Sequence, residues 1–124
     1  MYTLGNLIKD LERCPPDDGV YFNFCGAFPL LSIDSSRCYY ERAAIDWTSH
    51  RKFDNVERRQ RPTVAELLAF LKDSIGKPIQ GYKGGDYIIS DGLPLHVDGY
   101  GECTSTIVCG VRDTGVVIIE TEHE

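Results

Sequence analysis

The sequence predicts an α+β fold, an antiparallel sheet with two helices packed on one face, in a single domain over residues 1–124. Two segments repeat apolar residues at helical spacing behind N-capping threonines. Short apolar or alternating runs, bounded by Gly, Pro and Asp, fill most of the remainder. Their order is helix, strands, helix, then a meander of strands. A chain of 124 residues and 13.9 kDa suits one domain. At this size about two-thirds of the unfolded surface is buried on folding, so no metal or disulfide staple is required.

The first helix runs over residues 3–13, with Thr3 as N-cap and Leu4, Leu7, Ile8 and Leu11 forming one apolar stripe. Cys14-Pro15-Pro16 stops it, and Asp17-Asp18-Gly19 turns the chain into a strand at 20–25. Val20, Phe22 and Phe24 share one face of that strand, and Tyr21, Asn23 and Cys25 the other. Residues 26–36 read as an apolar loop around Pro29, one that its own domain or a second subunit must cover. Weak strand character follows at 39–47. Residues 48–62 form a basic exposed loop holding Arg51, Lys52, Arg58, Arg59 and Arg61. The second helix opens on a capping box, Thr63-Val64-Ala65-Glu66, behind Pro62. Val64, Leu67, Leu68 and Leu71 make its buried stripe, extended by Ile75, and Gly76 and Pro78 end it. Strands at 79–83 and 86–89 flank Gly84-Gly85, and a further strand covers 93–97. Strands at 104–111 and 116–121 form a hairpin around Arg112-Asp113-Thr114-Gly115.

Composition narrows the function. With 42% hydrophobic and 26% charged residues the chain is an ordinary soluble one. A net charge of −6 argues against coating DNA or RNA, which takes a basic face, but leaves room for a pocket binding one small anion. No apolar run approaches the ~20 residues of a membrane helix, and MYTLGNLIKDLER is not a signal peptide, so an intracellular chain is expected. The five cysteines, Cys14, Cys25, Cys38, Cys103 and Cys109, include no C-x-x-C pair. They read as small buried hydrophobes, with no metal site and no cofactor.

Enzyme signatures are absent from the sequence: there is no H-E-x-x-H, no G-x-S-x-G and no phosphate loop. His50 is followed two residues on by Lys52 and His96 by Asp98, which excludes the two-histidine phosphoesterase pattern. His96 with Asp98 on one strand face is the nearest approach to a catalytic dyad, and a packed histidine is the default reading. Gly81-Tyr82-Lys83-Gly84-Gly85-Asp86-Tyr87 fits either a hairpin bulge or a backbone that approaches a ligand closely. Aromatic residues near Arg37, Arg42 and Arg112 suit a nucleobase with phosphates, the ring stacking the base and the guanidinium holding the anion.

Four blocks, S-S-R-C-Y-Y (35–40), T-V-A-E-L-L (63–68), G-Y-K-G-G-D-Y (81–87) and P-L-H-V-D-G-Y-G-E-C (94–103), together resemble the first-described family of phage Thoeris anti-defence proteins. The resemblance extends from the first helix to the final hairpin. It implies an oligomeric mixed α+β protein, dimer or hexamer, in the cytoplasm of an infected bacterial host. Such a protein sequesters a cyclic ADP-ribose-type immune signal at subunit interfaces without cleaving it, and some members hold cyclic di- or trinucleotides at a second site. On that basis Tyr82 with Phe22 or Tyr100 would stack the base, Arg37 and Arg112 would hold the pyrophosphate, and Asn23 and Asp98 would take ribose hydroxyls. Arg58, Arg59 and Arg61 would form the second, basic site. The alternative is a small phage interaction module that inhibits a host protein, docking through the apolar stretch 26–33 and the basic segment 51–61.

Overall fold

The computed structural model describes residues 2–24, 26–36, 43–50, 61–81, 83–98 and 106–123. Helix α1 (Leu4–Glu12) starts on Thr3, whose hydroxyl accepts from the Asn6 amide while the Asn6 side chain accepts from the Thr3 amide. Leu4, Leu7, Ile8 and Leu11 are buried, as their spacing predicts. Helix α2 (Val64–Ser74) opens on the expected capping box: Thr63 Oγ1 accepts from the Glu66 amide at 3.2 Å, and Glu66 Oε1 accepts from the Thr63 amide at 3.0 Å. Val64, Leu67 and Leu71 are buried, but Leu68 is only partly so and Ile75 is exposed, so the stripe ends a turn earlier than its apolar letters suggest. No helix among the described residues is long and apolar enough to cross a membrane.

Among the described residues eight strands complete the fold: β1 (Val20–Phe22), β2 (Phe28–Ser35), β3 (Ile45–His50), β4 (Pro78–Gln80), β5 (Asp86–Ile88), β6 (Leu95–Asp98), β7 (Thr106–Asp113) and β8 (Val117–His123). The main sheet has the order β1-β8-β7-β6-β3-β2, and β4-β5 form a separate hairpin. The class is α+β as expected, but the main sheet is mixed rather than antiparallel, because β1 runs parallel to β8 and β3 parallel to β6. Parallel neighbours need long crossovers. The β3-to-β6 crossover contains α2 and the β4-β5 hairpin, and the β1-to-β8 crossover contains most of the chain. Hairpin signals between sequence neighbours carry no trace of either.

Two segments expected to be loops are strands. Residues 28–35 form β2, which among the described residues pairs only with β3 and carries a register shift between Pro29 and Ile33. An edge strand with a bulge is where proline, lacking an amide hydrogen, is tolerated in a sheet. Ala27, Phe28 and Pro29 are buried by the chain itself, so the apolar stretch needs no second subunit to cover them, and only Leu31 is strongly exposed. Residues 48–50 extend β3 instead of opening the basic loop, whose residues 51–60 lie outside the described ones.

Register places Val20, Phe22, Val117, Ile119, Ile45, Trp47, Leu95 and Val97 on one sheet face, and all eight are buried. Phe22 and Trp47 meet edge to face at 5.3 Å between ring centroids. Their strands stand four places apart in the sheet, about 19 Å if it were flat. The sheet therefore curls, and its concave face encloses a core that also receives Leu4, Leu7, Leu11, Leu67 and Leu71 from the helices. The Trp47 indole N–H, buried with its ring, donates to the Leu30 carbonyl at 2.8 Å.

Candidate functional site

A cleft of about 650 Å³ opens beside α1. An α-helix advances about 100° per residue, so Asn6, Lys9, Asp10 and Arg13 share the face opposite the buried Leu4-Leu7-Ile8-Leu11 stripe. These four residues and Tyr2 form one wall of the cleft. Facing them are Pro94, the residue before β6, Leu95 and His96 from β6, Ile107, Val108 and Cys109 from β7, and Glu122 from β8. One wall is polar and the other mainly apolar. The walls are joined at the start of α1, where the Leu4 amide donates to the Leu93 carbonyl at 3.0 Å and the Gly5 amide to the Asp91 carbonyl at 2.7 Å.

The charges on the helix wall are sorted by their partners. The Tyr2 hydroxyl donates to Asp10 Oδ2 at 2.5 Å. Burial, then the hydrogen bond to the Asp10 carboxylate, hold the Tyr2 phenol far above its ordinary range. Glu12 is bound by Lys72 Nζ of α2 at 3.0 Å. Both acids of α1 are thus engaged elsewhere, and among the described residues neither Lys9 nor Arg13 is in an ion pair. Among the described residues Glu122, across the cleft, is the one carboxylate in the lining besides Asp10.

Cys109 sits at the β7 register shift and is exposed, contrary to the reading of every cysteine as a buried hydrophobe. Partial burial, then Glu122 and Glu120, push its thiol up, so at neutral pH it is a protonated thiol and a weak nucleophile. His96 is buried on β6, and its register neighbour across the parallel pair is Asp46 of β3, itself buried. By register Asp46, fifty positions earlier, is a carboxylate on the same sheet face as His96, a neighbour no local spacing could show. Among the described residues no group of three or more His, Cys, Asp or Glu is placed to hold a metal.

Among the described residues, those proposed from the sequence to bind ligand do not line this cleft. Phe22 is a core residue, stacked on Phe24 at 5.3 Å and edge-on to Trp47, so it is not available to stack a base. Asn23 and Arg112 do come together, but on Glu120: Asn23 Nδ2 donates to Glu120 Oε2 at 3.1 Å and Arg112 Nε to Glu120 Oε1 at 2.8 Å. Asn23 is further tied to Thr121 through its backbone and hydroxyl. Arg61 lies over the Tyr21 ring, 5.4 Å from its centroid, and against Gly19, whose missing Cβ makes the room. Arg37, Arg58, Arg59, Tyr82 and Tyr100 lie outside the described residues, as does the side chain of Asp98, whose backbone ends β6. The glycine block closes the β4-β5 hairpin: the Gly81 amide donates to the Gly85 carbonyl at 2.7 Å, and Gly84 and Gly85 are both left-handed at φ 89° and 78°. The residues of the helix wall carried one faint mark in the sequence, the polar face of an amphipathic helix, which ordinarily means solvent. No family model, curated protein or solved structure matches the chain.

Proposed function

We propose that the chain is a binding protein that sequesters a small nucleotide-type signal, of the cyclic ADP-ribose class, in the cleft beside α1 and releases it unchanged. The observation that carries this is the cleft itself: about 650 Å³, one wall mixed apolar and polar and the other bearing Lys9 and Arg13. That volume lies in the range of small-molecule sites, about 300–1,000 Å³. A base or sugar ring would lie against the partly buried Pro94 and Ile107, and phosphates would meet the two cations. Glu122, opposite, would accept from base or ribose donors. The resemblance of the four sequence blocks to phage anti-defence sponges adds the biological setting, an oligomer acting in the cytoplasm of an infected bacterium. In this proposal Arg112 and Asn23 brace Glu120 rather than bind ligand.

A second reading, hydrolysis assisted by His96, has the buried Asp46-His96 neighbours behind it, since a carboxylate can orient an imidazole and stabilise its charged form. One experiment separates the two. Protein is incubated with cyclic ADP-ribose isomers, freed of unbound ligand and heat-denatured, and the released material is identified by mass spectrometry. Intact ligand supports sequestration, a cleaved product supports hydrolysis, and no ligand refutes both.

A further inference from the structure

Asp10 stands next to Lys9 and three residues before Arg13, a spacing at which oppositely charged side chains on a helix pair. It pairs with neither. Tyr2, N-terminal to it, draws the carboxylate toward the start of the helix, and Arg13 lies toward the end. Glu12, the other acid beside Arg13, is held by Lys72 on the far side of α1. The wall therefore offers two cations on one helix face, about 6 Å apart along the axis, with their natural partners drawn away. Both side chains are exposed and long enough to converge on one group.

We propose that Lys9 and Arg13 form a pyrophosphate-binding subsite, and that the Tyr2–Asp10 hydrogen bond is the positioning contact that keeps them available. The identity of the whole ligand rests on the nucleotide reading above, but the subsite does not. Its attraction comes from the two side chains, since α1 presents the carbonyl end of its dipole near Arg13 and that end repels anions. Diphosphate suits it better than monophosphate, because each cation then meets its own phosphate. Glu122 across the cleft limits the charge the site accepts.

The test is an NMR-monitored titration with inorganic pyrophosphate at low ionic strength, on the wild type, Lys9→Gln/Arg13→Gln, Tyr2→Phe, Asp10→Asn and Tyr2→Phe/Asp10→Asn. The expected result is binding that shifts amides around residues 9–14. Affinity should fall about tenfold or more in Lys9→Gln/Arg13→Gln and severalfold in Tyr2→Phe, and should return to at least the wild-type value in the double variant. That recovery separates positioning from loss of packing, because removing the Asp10 charge does not restore a damaged fold. Absence of pyrophosphate binding, or binding that ignores Lys9 and Arg13, overturns the subsite. A Tyr2→Phe affinity equal to wild type, or a loss that Asp10→Asn does not repair, overturns the positioning role. Cyclic ADP-ribose is titrated alongside: pyrophosphate binding without cyclic ADP-ribose binding sinks the proposed function and leaves the subsite standing.

Discussion

Replacing Gly5 by alanine pits helix propensity against tertiary contact. Gly5 is the second residue of α1, and by propensity alone alanine is favoured there by at most about 1 kcal/mol. The added Cβ would lie 2.9 Å from Asp91 Cβ and 3.0 Å from the Asp91 carbonyl oxygen. Ordinary contacts between such atoms are about 3.5–4.0 Å. Relief needs a shift of roughly half an ångström or more between α1 and the 90–92 turn. That interface is pinned by the Gly5-to-Asp91 and Leu4-to-Leu93 hydrogen bonds. Overpacking of this kind costs about 1–3 kcal/mol, and a weakened hydrogen bond adds about 0.5–1.5 kcal/mol. After subtracting a propensity gain of about 1 kcal/mol, a net loss of about 0.5–3.5 kcal/mol is expected. Urea denaturation monitored by Trp47 fluorescence and far-UV circular dichroism measures it, as a lower midpoint at unchanged slope. Gly92→Ala is the control: its Cβ meets nothing within 4 Å, so its midpoint should stay close to wild type. A Gly5→Ala protein as stable as the wild type, or more so, would refute the close approach of α1 to the Asp91 turn.

Thr63→Ala removes the cap of α2 and should cost about 1 kcal/mol in the same assay, whereas Thr63→Ser should cost little. No change would mean that the Thr63–Glu66 box does not hold the helix start. Arg112→Ala breaks an exposed ion pair with Glu120 and should lower stability by less than about 1 kcal/mol while leaving cyclic ADP-ribose affinity within twofold, by calorimetry. A tenfold loss of affinity would return Arg112 to the site. Tyr2 has a folded-state pKa raised above its unfolded value, so its stabilising contribution is complete below about pH 10 and declines as pH rises beyond that. Tyr2→Phe should therefore unfold less steeply than wild type at alkaline pH and lose a late-titrating phenol from the tyrosinate absorbance curve. Identical curves would remove the Tyr2–Asp10 bond from solution. Cys109, exposed but beside Glu122 and Glu120, should alkylate with iodoacetamide at pH 7.5 more slowly than a free thiol, and faster once Glu122 is changed to Gln. Equal rates would show that those carboxylates do not govern the thiol.

Both helices were legible in the sequence because their determinants are local. Thr3 with Asn6 and Thr63 with Glu66 reach only one turn, and an apolar stripe every three to four residues needs no knowledge of what covers it. The terminal hairpin was legible for the same reason, since its two strands are joined by a few turn residues. What covers each helix start was not. The first amides of α1 donate to Asp91 and Leu93, and those of α2 to Asp18 and Pro16, carbonyls far away in the chain that only the fold brings near. Sheet order was hidden likewise: β1 lies beside β8 and β3 beside β6, pairings whose hydrogen bonds come from backbone that every residue carries.

The candidate site divides along the same line. Composition allowed a small-anion pocket, and of the arginines the sequence pointed to, the two that are described, Arg61 and Arg112, are engaged with Tyr21 and Glu120. Among the described residues that line the cleft, the cations outside ion pairs are Lys9 and Arg13, which in the sequence are ordinary letters of a helix's polar face. Charge is written in the residue type, but whether a charge is satisfied depends on which groups lie within a few ångströms. Tyr2 reaching Asp10 and Lys72 reaching Glu12 are tertiary facts. The local pattern thus determined where the helices and the last hairpin form. Only the packed chain decided which strands meet and which charges are left to face a ligand, because both depend on distances between residues remote in sequence.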